Sequence, residues 1–522
     1  ILNTAVLTNE QVATTFQALD ETLMNIGGFL TQNIIQDAKD LGNVQNQDKF
    51  NELFIKLKLL KMWLIVMHEF IKSLTERKLD GSNIYFKIIT NHDQLVKIYV
   101  ATQMIVIPTP RQVAECHVST SGNQEIDQLI HGAKTAALHS FSRVIMHSNE
   151  FSSILDPSEN KFFANAVLMT GFIINSLVNF AKTEHLNNER INSDRELSDL
   201  LTESLKFLSN MVTFPDLNNL FSSELKDLIM RLCLPLLMMN QAEMKIFHTN
   251  PDQFYTLALD TCTKQVANIP KVQAAKFLKE ICSQMDGALS FTSAIVLCMI
   301  DYSMASDKPA DIPSDYKDLA DHMDSILIKS EAIARVETCL LVLCILYLPI
   351  RARKDILAMV EKLFIAYQEF FLGAKTHPLI KVRMCLLFPI YAHILFKGEE
   401  KKAIFASHLK FLLECSGMQN DNPDSVIAQA AHSINFICVK DYLAEIIKPY
   451  LVDIVRGLTT VLMTTKAERL FDVLYSVVTS FQVELLTDPE NLLLLVSELV
   501  KRSQYEYEII KGDAKKTKDY PQ

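Results

Sequence analysis

"DKFNELFIKLKLLKMWLIVMHEFIKSL", Asp48–Leu74, decides the fold class. Phe50, Leu53, Leu57, Leu60, Leu64, Met67 and Phe70 recur at three- and four-residue spacing. That period puts them on one stripe of a helix, whereas a half-buried strand would need strict alternation. Stretches of the same period begin near Asp93, Gln124, Glu159, Arg195 and Ser222. They resume near Lys271, Leu289, Ser314, Ala332, Arg353, Pro378, Lys401, Ser425, Tyr442, Ala467 and Glu490. Short breaks carrying Pro, Asn, Asp or Ser separate about eighteen helices, and no alternating run competes with them. The fold class is all-α.

Composition agrees. Only 13 of 522 residues are glycine, while Leu, Ile, Ala, Lys and Glu, which favour or tolerate helix, dominate. The net charge of −10 lacks the basic footprint of a nucleic-acid binder. Ten cysteines stand singly with no Cys-x-x-Cys, and no Asn-x-Ser/Thr occurs, which points to free thiols in a reducing, intracellular compartment rather than a disulfide framework or zinc site. The longest apolar run, "CLLVLCILYLPI", ends after twelve residues at Arg351, too short to span a bilayer, so no membrane insertion is expected. No secretory leader is expected, and a chain starting at Ile1 reads as processed or as a fragment of something longer.

Catalytic signatures are missing from the sequence. There is no phosphate loop, dinucleotide fingerprint, HExxH, GxSxG or EF-hand loop, so neither an enzyme nor a cofactor or metal is expected. His68-Glu69 lacks a second histidine four residues on, and Cys116-His117 sits in the loop expected over Thr109–Asn123. Asp311/Asp315 and Asp321/Asp324 have one-turn spacing, which a solvated helix face also produces.

Regularity suggests a repeat. "THPLIKVRMCLLFPIYAHIL" places Pro378 in the first turn, then Val382-Arg383, then small or apolar residues to Leu395. "DNPDSVIAQAAHSINFI" repeats the idea with Pro423, Val426-Ile427, Ala430, Ala431 and Ile434. "KPYLVDIVRGLTTVL" reads as the other helix of a pair, entered at Pro449, with Leu451, Ile454, Val455, Leu458 and Leu462 inward. Two helices per ~40–47 residues define HEAT-type arrays. The expectation is one continuous HEAT-like α-solenoid over residues 1–510, a right-handed superhelix of roughly 11–12 antiparallel pairs. A charged tail, 511–522, follows.

One stretch breaks the rhythm. "IFHTNPDQFYTLALDTCTKQ", Ile246–Gln265, lies in an insert at about 240–270, between a helix ending near Met239 and one starting near Lys271. It reads as a long loop inside one repeat, and long ordered loops are usually functional. Phe247, Asn250, Pro251, Asp252, Phe254, Tyr255 and Asp260 are its candidate partner-binding or hinge residues. The aromatics among them also read as a lid folded back on the array.

This region resembles the importin-β (karyopherin-β) superfamily. Leu234-Pro235 matches the family's turn. Phe247, Asn250, Pro251, Asp252, Gln253 and Phe254 match its Asn-Pro element, and Ala274, Ala275 and Leu278 match the helix that follows. Phe207-Leu208, Leu220-Phe221, Ile281-Cys282 and Gly287 are most similar to the branch that exports importin-α, and Lys317–Ser330 continues the likeness. The resemblance covers about Gln124 to Leu462. It implies a nuclear transport receptor that moves between cytoplasm and nucleus. Such a receptor wraps protein cargo (here importin-α-like), binds the GTPase Ran in its GTP form, and meets Phe-Gly repeats of the nuclear pore. Two departures stand out: the family's Ran-binding repeats do not precede the match, and Thr256-Leu257 replace its arginine pair. A karyopherin-like HEAT scaffold in a larger assembly is therefore the other reading.

Overall fold

Asp194 starts the best-defined helix of the chain: its side chain accepts from the Leu197 N–H at 3.1 Å, and Leu197, Leu201, Leu205 and Leu208 then repeat along one buried face of Arg195–Met211. That combination of a polar cap and an i, i+4 stripe recurs throughout the computed structural model, which describes residues 9–40, 47–76, 93–105, 120–150, 161–183, 191, 193–304, 314–326, 331–373, 375–395, 401–416, 422–438, 447–464, 470–487 and a few single residues beyond. The described residues contain helices and no strand, so the chain is all-α.

Two compact units divide the chain: Ile1–Leu236 with Ala267–Gln284, and Leu237–Val266 with Met285–Gln522. In the first unit α1 (Asn9–Asp40), α2 (Gln47–Glu76), α3 (Asp93–Gln103), α4 (Thr120–Glu150), α5 (Lys161–Thr183), α6 (Arg195–Met211) and α7 (Asn218–Asp227) follow in order. A π-helical turn, Leu228–Cys233, and the short α8 (Leu234–Leu237) come next. Helix α2 packs on α4, α4 on α6, and α6 on a later helix, Pro270–Gln284. Alongside, α1 packs on α3, α3 on α5, and α5 on α7 and the π turn. Each helix is thus covered by partners close to it in chain order. The stripe read from Asp48–Leu74 is the reason: Leu53, Leu57, Leu60 and Leu64 are fully buried and Phe50 and Met67 nearly so, each worth about 1.5–3 kcal/mol of burial. Phe70's side chain lies outside the described residues.

The second unit opens with α9 (Gln241–Thr249) and α10 (Pro251–Leu259); Pro270–Gln284, of the first unit, is α11. The second unit resumes with α12 (Asp286–Met304), α13 (Ser314–Ile326), α14 (Glu331–Ile345), α15 (Tyr347–Ala352), α16 (Lys354–Ala366) and α17 (Gln368–Leu372). It ends with α18 (Pro378–Leu395), α19 (Lys402–Ser416), α20 (Asp424–Cys438), α21 (Leu451–Thr464), α22 (Leu470–Ser480) and α23 (Gln482–Thr487). Helices α12, α14, α18, α20 and α22 pack each on the next, while α13, α15 to α17, α19 and α21 lie against them. By length and composition α12 is apolar enough to cross a membrane; Leu289, Ile295, Val296, Met299 and Ile300 are buried within its own unit.

Two loop expectations change. Residues 240–270 are not a long loop: all but a few belong to α9, α10 and a π turn over Asp260–Lys264. Residues 120–123, expected at the end of a loop, begin α4. The rest of that loop (with Cys116-His117), Asp311, the helix start at Tyr442 and the tail from Lys511 lie outside the described residues.

Candidate functional site: a helical insert on a polar face

The insert folds as a helical hairpin because its polar residues are caps. Asn240 and Glu243 form a capping box at the start of α9: the Glu243 N–H donates to Asn240 Oδ1 at 2.9 Å, and the Asn240 N–H donates to Glu243 Oε2 at 3.3 Å. Asn250 caps α10, accepting from the Gln253 N–H at 3.0 Å, with Pro251 at the first helical position. A residue before proline is pushed out of the helical region, and Asn250 sits at φ −144°, ψ 86°. Asp252 lies in the first turn, where a carboxylate complements the helix dipole.

Asp260 closes the hairpin. Its carbonyl accepts from Gln265 N–H at 2.7 Å and its carboxylate from Val266 N–H at 3.1 Å. Gln265 takes the left-handed conformation, φ 53°, the only non-glycine among the described residues to do so. Asn250 and Pro251, singled out as partner-binding or hinge residues of a loop, form the corner between the two helices, and Asp260 forms the stop after the second.

The hairpin packs on α20, its π turn packs on α14, and Phe254 faces Arg383 of α18. Phe247 and Phe254, both buried, meet edge to face with centroids 5.1 Å apart. Behind Phe254 the Arg383 guanidinium of α18 sits 5.6 Å from the ring centre and donates to Glu337 Oε1 of α14 at 2.5 Å. Both ends of this ion pair are inaccessible, 3% and 0% exposed. Burial alone would lower the Arg383 pKa, but the Glu337 carboxylate outweighs it and holds the guanidinium above its usual value. Tyr255, half-buried, stacks on His432 of α20, centroids 3.8 Å apart and planes within 9°. Cys262, in the π turn, is in hydrogen-bonding contact with Cys344 of α14; burial and that contact hold the Cys344 thiol well above its ordinary pKa, which leaves it unreactive.

Two prolines tie the site together through one helix. Pro251 has no N–H to offer the Phe247 carbonyl four residues earlier, and Ser425 Oγ of α20 donates to that carbonyl at 2.6 Å. Pro389, inside α18, likewise strands the Cys385 carbonyl, and Ser433 Oγ of α20 donates to it at 2.6 Å. Helix α20 thus supplies a hydroxyl to both the Phe247 and the Cys385 carbonyl.

Five of the seven residues singled out in the sequence (Phe247, Asn250, Pro251, Phe254 and Asp260) have structural roles here, Tyr255 makes the stack, and Asp252 is a first-turn acid. What the sequence reading missed is the surface beneath: Glu337, Arg383, Ser425, His432 and Ser433. A signal existed. Glu337 heads "ETCLLVLCILYL" as its one charge, and Arg383, two residues after Lys381, leads into the apolar "MCLLF"; a buried charge in such a run needs a partner. Elsewhere in this unit α16, α17 and α19 enclose a groove of about 790 Å³ lined by Ile365, Glu369, Leu372, Lys410 and Phe411. Among the described residues no group of three His, Cys, Asp or Glu is placed to hold a metal. No protein-family model matches the chain, and no curated protein matches it.

Proposed function

We propose that this chain is a protein-binding, HEAT-type receptor of the karyopherin-β kind, with no catalytic activity of its own. In this reading it shuttles between cytoplasm and nucleus, binds protein cargo and GTP-loaded Ran, and meets Phe-Gly repeats of the pore. The observation that supports it is the packing order: apart from the α9–α10 hairpin, which packs on α20, the helices of the second unit run in a series in which α12, α14, α18, α20 and α22 each cover the next. Arrays held only by nearest-neighbour contacts bend easily and offer long surfaces to protein partners. The groove between α16, α17 and α19, with Ile365 and Phe370 exposed near it, suits short aromatic repeats.

A scaffold role in a larger assembly, without Ran, is the second reading, and one observation favours it. The Asp260 carboxylate is 8% exposed and accepts from Val266 N–H, closing the hairpin rather than standing out from it. The test is binding of the chain to Ran loaded with GTP or with GDP, by pull-down and by calorimetry. GTP-dependent binding supports the receptor; equal or absent binding to both forms selects the scaffold.

A further inference from the structure

We propose that the outer flank of α1 and α2 is a self-association surface, on which a second copy of this chain docks with its α2 antiparallel to the first about a two-fold axis. The proposal is independent of Ran and of cargo.

The first observation is a patch too large to be incidental. Ile55, Leu59, Met62, Ile65 and Val66 of α2 and Ile26 and Phe29 of α1 are each 46–65% exposed. At roughly 100 Å² apiece they leave roughly 700 Å² of apolar surface in water. The largest such patch on a typical monomer is about 300–600 Å², and each partner of a stable complex buries about 800 Å². The residues that pack α2 within its own unit are a different set, Leu53, Leu57, Leu60 and Leu64, so the exposed stripe plays no part in the packing of that unit.

The second is where the stripe lies. Trp63 Nε1 donates to the Leu23 carbonyl of α1 at 2.9 Å, and Lys56 Nζ to Asp37 at 2.7 Å, which sets the side of α2 that faces α1. His68 meets His139 of α4, ring centroids 4.3 Å apart, and Lys61 Nζ donates to Glu196 of α6 at 2.8 Å. At 3.6 residues per turn, Ile55, Leu59, Met62 and Val66 fall on the flank opposite His68 and Lys61. On α1, Ile26 stands on the far side from Gly28, whose Cβ would meet Gln94 of α3 at 3.6 Å, and Phe29 follows one turn on. Because Gly27 packs against Trp63, Ile26 adjoins the level of Met62. In a run where α2 packs on α4 and α4 on α6, this flank has the apolar character of a covered one.

The third observation selects the occupant. The stripe is spaced four, three, four along α2, a seam that a facing helix fills and that reads the same in both directions. A two-fold axis between Leu59 and Met62 therefore sets Ile55 against the second copy's Val66 and Leu59 against its Met62, the self-complementary pairing of an isologous contact. The charges at the two ends do not oppose it. Glu52 is paired with Lys56 at 2.8 Å and Glu69 with Lys72 at 3.8 Å, so neither end brings an unpaired carboxylate to the axis.

Sedimentation equilibrium of the full chain at micromolar concentration should give the mass of two chains. Leu59→Glu with Met62→Glu should weaken association by about tenfold or more, because each new carboxylate would be buried unpaired. Leu168→Glu on α5, at another exposed apolar residue, should leave association unchanged. A wild-type chain that sediments singly, or a dimer indifferent to the two glutamates, overturns the proposal. Cross-linking decides independently should the glutamate variant fail to fold. Ile55→Cys chains mixed with Val66→Cys chains and oxidised by diamide, which takes up the two thiol hydrogens, should form a disulfide between copies in several-fold higher yield than Ile55→Cys chains alone. Equal yields, or no cross-link in the mixture, overturn the proposal.

Discussion

Removing the Arg383 side chain while keeping Glu337 is the sharpest test of how the second unit is held. Arg383→Met preserves most of the volume and deletes the cation. It leaves a carboxylate that is 0% exposed, whose remaining contact with Thr338 Oγ1 is long at 3.5 Å. Breaking a buried pair in this way costs about 3–5 kcal/mol, because the surviving charge has neither water nor a counter-ion. At about 1.4 kcal/mol per tenfold, that is roughly two to nearly four powers of ten in the local opening constant. Loss of the guanidinium over Phe254 adds about 0.5–2 kcal/mol. The double variant Arg383→Met with Glu337→Leu removes both charges and is expected to be more stable than the single one, since apolar replacement of a buried pair is often neutral. A single denaturation curve would mix two units, so the assay is native-state amide exchange read on α14 and α18. A single variant within about 1 kcal/mol of wild type, or a double variant less stable than Arg383→Met, would refute the reasoning, because either means the pair is not coupled.

Ser433→Ala should cost about 1–3 kcal/mol, since the Cys385 carbonyl stranded by Pro389 loses its donor; adding Pro389→Ala, which restores a helical N–H, should recover most of it, read by exchange on α18. Two glycines should respond with opposite signs. Gly27→Ala puts a Cβ 2.5 Å from the Trp63 ring and is expected to destabilise by about 1–3 kcal/mol, whereas Gly171→Ala, with nothing within 4 Å, should stabilise by about 0.5–1 kcal/mol. The sole tryptophan, Trp63, reports both through urea unfolding of the first unit followed by fluorescence; a stabilising Gly27→Ala counts against the packing. His408, buried against Phe388, has its pKa lowered to about 4 by burial. Between that value and the unfolded value near 6.5 the unfolded chain binds the extra proton, so stability is full above pH ~6.5 and falls by up to about 3 kcal/mol as the pH drops towards 4. His408→Leu should flatten the pH dependence of the opening free energy read by amide exchange on α19 over that window; an unchanged slope would remove His408 as its source.

Periodicity made the helices legible because burial acts on it directly. Leu53, Leu57, Leu60 and Leu64 had to face one way for α2 to be stable, and they do. The same holds for Ala274, Ala275 and Leu278 of α11 and for Ala430, Ala431 and Ile434 of α20, where small or flat residues permit close packing. Helix corners were harder. Asn, Pro and Asp signal a break in the helical hydrogen-bond ladder, but the signal is local and carries no length. Asn250-Pro251 ends one helix and begins the next within a single residue, so a stretch rich in break signals reads as loop while forming two helices.

The covering face was hidden for a different reason. A lone Glu337 or Arg383 in an apolar run announces only that some partner exists, and the two residues stand 46 positions apart, so their pairing depends on α14 lying beside α18. The serines follow the same logic with an added step. Ser425 and Ser433 are ordinary helix residues until Pro251 and Pro389 each leave a carbonyl open, and only the packing of α20 against the hairpin and α18 brings hydroxyl and carbonyl together. Each proline therefore exchanges a bond inside its own strand of backbone for one between elements. At Pro251 that exchange fixes the hairpin to α20 through its main chain, and at Pro389 it fixes α18 to α20. The ring over Arg383 and the ring on His432 add side-chain contacts to that main-chain bond, so the hairpin is held in both ways.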